Sequence, residues 1–216
     1  MTTADRIEQA RLLYEQAVFG GDVAALDLAD QNLDNVEADL ALARGRVLHA
    51  RFLAKQQEDP HELTLFERSA ELFHRLEDAR GEGEALFWVG TFHQVVRGDG
   101  ATAHPLFEKS YRLAESVDDK LTLSYAARHL GFGHQAEGRF DEARAYFEES
   151  VRLREQIDFI PGVAAGQLAL AELAEQSGDH TSARALVAEA RRLAEDTEAK
   201  GIIGWIDQIE AEWSQP

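Results

Sequence analysis

Apolar residues recur along most of this chain at intervals of three and four, the spacing of helices that bury one face. Phe140, Ala143, Phe147, Val151 and Arg154 fall in such a register, as do Leu186, Ala190, Leu193 and Ala194. The register itself repeats. Segments beginning at Gly98, Gly138 and Gly178 align without a gap, 40 residues apart each time. Their matched columns are Ala103/Ala143/Ala183, Phe107/Phe147/Val187, Arg112/Arg152/Arg192 and Leu113/Leu153/Leu193. A second helical block precedes each, with Val89-Gly90, Leu130-Gly131 and Leu170-Ala171 in matching places. Each repeat is therefore predicted to be two helices joined by a turn opening at the glycine. The small residues Gly131 and Ala143 let paired helices approach closely, with Leu130, Phe140 and Phe147 filling the space around that contact. Asp141 and Thr181 follow the turn glycines and suit helix N-termini.

Toward the N-terminus the pattern weakens. Residues 65–81 match 106–122 at a spacing of 41, with a partner helix expected from about Leu40 to Gln57 and Leu48 in the leucine column. A first pair is expected over 4–36, turning at Gly20-Gly21-Asp22. Breaks between repeats are expected at Arg80-Gly81-Glu82-Gly83, Asp118-Asp119, Ile160-Pro161-Gly162 and Lys200-Gly201. One repeat domain over 1–216 results, with approximate repeats 4–36, 40–80, 84–119, 124–159 and 164–199. An amphipathic segment, 201–214, follows. Ile202, Trp205 or Ile206, Ile209 and Trp213 form one stripe on it, suited to capping the last hairpin. The expected fold is all-α: a right-handed superhelix (solenoid) of about eleven helices, five hairpins plus the cap, without strands.

Composition agrees. Hydrophobic residues make up 44% and only four prolines interrupt 216 residues, so long helices are permitted. There is no cysteine, which removes disulfides, thiolate chemistry and thiolate-bound zinc. The N-terminus lacks a basic start and an apolar run, so no signal peptide is read there. No stretch approaches a membrane span. The cytoplasm is the expected location. The 22 basic residues are scattered among 40 acidic ones, for a net charge of −18. Neither nucleic acid nor a membrane is an expected partner.

The columns Leu130, Gly131, Gly138, Ala143 and Phe147 resemble the tetratricopeptide repeat. In that family a leucine and a small residue on the first helix precede a turn glycine, then an alanine and an aromatic on the second. The 40-residue spacing exceeds the family's usual ~34 and is similar to the repeats of kinesin light chains, spindle-orientation adaptors and many bacterial regulators. The family's usual tryptophan column holds Leu86 and Ala127 here. The resemblance implies protein or peptide binding in a concave groove lined by first helices.

Chemistry is sparse. His93 and His134 occupy equivalent places on successive first helices, but a metal site needs further converging ligands. They also fill a column where the family often has tyrosine. No phosphate-cradling loop is present, and Ser110, Ser124 and Ser150 lie mid-helix without a sequence-visible His-Asp arrangement. Neither enzyme activity, nor a metal, nor a cofactor is expected. The candidate groove residues are Arg46, Phe87, Thr91, Tyr125, Arg128, Phe132, Leu168 and Glu172, because aromatics with arginine dominate binding hot spots. Trp88 and Phe92 are assigned to the core, and Phe87 and Tyr125 suit core and groove equally. Glu175 would favour a basic ligand residue beside Glu172. The four lysines avoid the places of the family's lysine-asparagine clamp for chaperone tails. Two functions fit: a protein- or peptide-binding adaptor, or a ligand-sensing module (short peptide or small molecule) of a bacterial regulatory system. The pattern selects neither monomer nor homodimer.

Overall fold

In the computed structural model, which describes residues 2–214, ten α-helices follow one another through short turns. They are α1 (Thr3–Gly20), α2 (Ala25–Lys55), α3 (His61–Arg75), α4 (Ala79–Thr91), α5 (Gly100–Ser116), α6 (Lys120–Ala136), α7 (Phe140–Gln156), α8 (Ile160–Gln176), α9 (His180–Asp196) and α10 (Lys200–Trp213). There is no strand among the described residues. The chain forms two compact units that divide between Val117 and Asp118, the first holding α1–α5 and the second α6–α10.

One contact recurs in both units. A phenylalanine ring of a second helix packs against a glycine of the first. A Cβ added to Gly45 would meet the Phe66 ring at 2.5 Å, one on Gly90 would meet Phe107 at 2.8 Å, and one on Gly131 would meet Phe147 at 2.5 Å. All three rings are buried. The last hairpin replaces the pair with Ala171 and Val187, also buried. Beside this contact a buried serine ties the helices together. The Oγ of Ser69 donates to the Ala38 carbonyl at 3.0 Å, Ser110 to Gly83 at 2.7 Å, and Ser150 to Ser124 at 2.7 Å. These bonds are geometric staples between helices and satisfy a hydroxyl that burial would otherwise penalise.

Turn chemistry alternates with the same rhythm. Gly98, Gly138 and Gly178 close the turns within hairpins at φ of 66°, 75° and 82°, where an L side chain is strained. Aspartates cap many helix starts: Asp78, Asp99, Asp119 and Asp179 each accept backbone N–H bonds from the following turn. Asp141 is not a cap, since α7 begins after Arg139 and Asp141 lies in its first turn, favoured there by the helix dipole. Thr181 likewise lies inside α9, whose cap is Asp179.

Four expectations need correction. The helices expected on either side of residues 37–39 are one 31-residue helix, α2. Nothing in Val36-Glu37-Ala38-Asp39-Leu40 stops a helix, so ten helices stand where about eleven were expected. Leu48 is not the leucine-column residue of α2. Gly45 occupies the neighbouring small position against Phe66, and the longer turn before His61 hid that alignment. Gly81 and Gly83 do not break the chain. They lie buried in the first turns of α4, where a Cβ at Gly81 would meet Phe73 at 2.4 Å. Similarly, Ile160, Pro161 and Gly162 begin α8, and Lys200 begins α10.

The odd spacing of 41 has a local cause. Helix α4 continues as a π-helical turn, Phe92–Val96, giving 18 helical residues where α6 has 17. The π turn absorbs the extra residue without shifting the Gly90–Phe107 contact. At the other end, α10 packs on α9 and α8, with Ile206 fully buried, Ile209 nearly so, and Trp205 exposed. Ile206, not Trp205, thus holds the apolar stripe.

Ala143 has no exposed surface and lies in the same cluster as Phe147. Replacing it with leucine is expected to lower stability by ~1–3 kcal/mol through overpacking. Gly204 on α10 has nothing within 4 Å of its Cβ position, so Gly204→Ala is expected to raise stability by ~0.5–1 kcal/mol. Urea melts of both variants check the pair; equal midpoints would refute the assigned packing.

Candidate functional site

Five of the expected groove residues belong to the second unit: Tyr125, Arg128 and Phe132 on α6, and Leu168 and Glu172 on α8. Leu168 is buried and so belongs to the packing between helices, not to an open surface. The other four keep part of their surface exposed. Arg46, Phe87 and Thr91 belong to the first unit. Phe87 is 3% exposed, with its ring 5.2 Å from Trp88 and 5.9 Å from Phe107. Thr91 is 4% exposed. The expectation that Phe87 and Thr91 line a groove is corrected on that ground. Trp88 is half-buried, stacked on Phe66, and Phe92 is 1% exposed. Arg46 is exposed, bonded to Glu84 at 3.0 Å and set over the Trp88 ring.

In the second unit the side chains converge on two arginines. The Arg128 guanidinium stacks 4.7 Å above the Phe132 ring, which packs edge-on to Phe147. Its Nε is enclosed and makes no hydrogen bond. Arg154, from α7, is 1% exposed. It donates to the Gly162 carbonyl at 2.7 Å and to the Ser124 hydroxyl at 3.3 Å, and its charge lies 5.1 Å from the Tyr125 ring. Tyr125 in turn packs edge-on against Phe159. No carboxylate bonds Arg154 among the described residues; a carbonyl, a hydroxyl and an aromatic face share its charge.

These groups feel one another. Burial, with the like charge of Arg128 second, pushes the Arg154 guanidinium down to about 9, still protonated at neutral pH. Arg128 retains some accessible surface, yet enough protein surrounds its head group that burial pushes it down too, opposed by Glu172 and Tyr125. Burial raises the Glu172 carboxyl, against the pull of Arg128. Two cations and one reluctant acid from α6, α7 and α8 therefore influence one another's charge. Glu175 lies apart from this set, held by His180 at 2.9 Å.

Sequence reasoning passed over Arg154, although a signal was present. Its column reads Phe73, Ala114, Arg154 and Ala194 at the repeat spacing, and an arginine in a buried apolar column is costly unless it has work to do. Other candidates dissolve into structure. The Ser110 and Ser150 hydroxyls are the interhelix staples, and Ser124 bonds the Leu121 carbonyl and Arg154. His134 stacks on Tyr146. No group of three metal-ligating side chains stands together among the described residues. No described helix is long and apolar enough to cross a membrane.

With this geometry in view, comparison places the chain. The tetratricopeptide-repeat model matches residues 82–156 and again 121–196, together more than half of the sequence. The chain belongs to that family, whose repeats serve commonly as protein-interaction scaffolds. Among solved structures, aspartyl phosphate phosphatase F from Bacillus subtilis is similar at a TM-score of 0.62 and 11% identity, over 95% of this chain and 55% of that one. The likeness is one of fold, and this chain spans about half the phosphatase's length. BtubC (BKLC) from P. vanneervenii matches at a TM-score of 0.47 and 14% identity, over 91% of each chain. No curated protein matches by sequence.

A titration tests the electrostatics of the cluster. An acid whose folded-state pKa is raised keeps its proton where the unfolded chain, near 4.5, has lost it. Its stabilising contribution is present below that value and is lost as pH rises through the folded-state pKa. Glu172→Gln removes this dependence, so the variant should gain stability relative to the parent between pH 4 and pH 8. A urea-midpoint difference that stays constant with pH would show that Glu172 titrates as in the unfolded chain.

Proposed function

We propose that this protein is a non-enzymatic, cytoplasmic adaptor that binds an acidic segment of a partner protein on the α6–α8 face of its second unit. The observation that carries this reading is Arg128: a guanidinium whose enclosed Nε has no hydrogen-bond partner, beside a second buried arginine, in a chain of net charge −18. An unsatisfied buried donor is costly, and a ligand carboxylate meeting the part of Arg128 that stays accessible would offset its poorly solvated charge with a charge-assisted bond. Tyr125 and Phe132 supply half-buried aromatic walls beside it. Glu172 counters excess positive charge and disfavours a ligand with more than one acid at that point. Arg154, locked by Gly162 and Ser124, shapes the field without having to move.

Binding isotherms with a panel of short peptides, each carrying one glutamate or a free C-terminal carboxylate, test the reading. Arg128→Gln is expected to weaken the best peptide by ~10- to 100-fold with helicity unchanged. Arg112→Gln, which removes an exposed cation paired with Glu108, should leave affinity unchanged. If no acidic peptide binds, or if Arg128→Gln binds as well as the parent, the proposal fails. If free dicarboxylates bind as tightly as the peptides, the site belongs to a ligand sensor instead.

A further inference from the structure

Helix α2 is longer than the helix that covers it. Ala25 and Ala29 pack against Ala10, Leu13 and Ala17 of α1, and Arg6, near the start of α1, bonds Asp39 at 3.5 Å. The two helices run antiparallel, so α1 begins beside the middle of α2, and α2 continues to Lys55. Ala43 lies about four turns after Ala29 and therefore on the same side of the helix, with Val47 one turn further on. Beyond Asp39 that side is open: Ala43 is exposed, and Val47 is 52% exposed. Together with Leu48 and with Leu65 of α3, both half-buried, they floor a groove of about 680 Å³. A second hollow of about 260 Å³ adjoins it at Leu48, Arg51 and Asp59 and reaches Lys55.

The charges on the rim select the occupant. Arg68 is already paired with Glu37 and Glu71, and His61 with Asp59. Arg44 and Arg51 are exposed and form no ion pair among the described residues, in a chain of net charge −18. Asp59, held by the His61 backbone N–H and ring, lies near enough to feel Arg51 without bonding it. The helix dipole accounts for Lys55, in the last turn of α2, but its effect fades before Arg51 and Arg44. These two arginines stand two turns apart, roughly 10 Å along the helix. That is the separation of carboxylates at i and i+7 on a second helix, and more than the oxygens of one small anion can span. An apolar floor bordered by two cations at this spacing complements a helix with an apolar stripe and acids along one flank.

We infer that the α2–α3 groove is a docking site for an acidic amphipathic helix of a partner protein, seated on the part of α2 that α1 leaves uncovered. This surface belongs to the first unit and is separate from the α6–α8 face.

Fluorescence anisotropy with three labelled synthetic peptides tests this. The first is helical, with a leucine stripe flanked by glutamates at i and i+7. The second replaces those glutamates with lysines, and the third scrambles the order of the first. Only the first should bind. Arg44→Gln with Arg51→Gln should weaken it ~tenfold or more. Val47→Gln, which puts a polar group on the floor, should weaken it as well, and circular dichroism should show both variants folded. Arg184→Gln, which removes an exposed cation of α9, should leave affinity unchanged. The inference is overturned if the first peptide does not bind, if the lysine or scrambled peptide binds as well, or if the double arginine variant binds like the parent. It is also overturned if laurate or anionic vesicles displace the peptide as well as its unlabelled form does, since the groove would then take small amphiphiles or a lipid surface.

Discussion

The close approach of paired helices depends on one steric constraint: an aromatic ring that occupies the place where a Cβ would be. Gly45, Gly90 and Gly131 leave room for Phe66, Phe107 and Phe147, and helix backbones come near enough for Ser69, Ser110 and Ser150 to reach carbonyls on the neighbouring helix. The ring supplies buried apolar area; the glycine supplies position. A helix interior loses conformational economy by holding glycine, so the gain must come from packing. The π turn after Thr91 follows from the same constraint, because an inserted residue is accommodated beyond the contact and not through it.

This explains how much of the fold was legible in the chain. Columns at a spacing of 40 are repeated solutions to one packing problem, and Gly131, Ala143 and Phe147 announce it wherever the turn length is constant. Where turn length changes, as before His61, the same contact persists with Gly45 but its spacing does not. Glycine carries two meanings that sequence alone does not separate. Gly138 turns the chain at positive φ, whereas Gly81 lies inside a helix under Phe73. The fusion of two expected helices into α2 leaves no local mark, because a helix that continues looks like a helix that starts again.

The candidate site was legible in part and for a related reason. First helices of a stacked array are packed on more than one side, so an aromatic such as Phe87 and an aliphatic such as Leu168 end in the interior while Tyr125 and Phe132 keep an open edge. Exposure depends on neighbours that are distant in sequence. Departures from a column are more informative than matches. Arg154 stands where the other repeats have Phe73, Ala114 and Ala194.

A double-mutant cycle on Gly131→Ala and Phe147→Leu measures the central constraint directly. Each substitution alone should lower stability, the first by pushing a methyl group into the ring and the second by trimming that ring's area. Together they should cost less than the sum, with a coupling of ~1 kcal/mol or more, because the smaller side chain relieves the clash. Strictly additive losses would contradict the account, since they would mean that the glycine and the ring do not set each other's place.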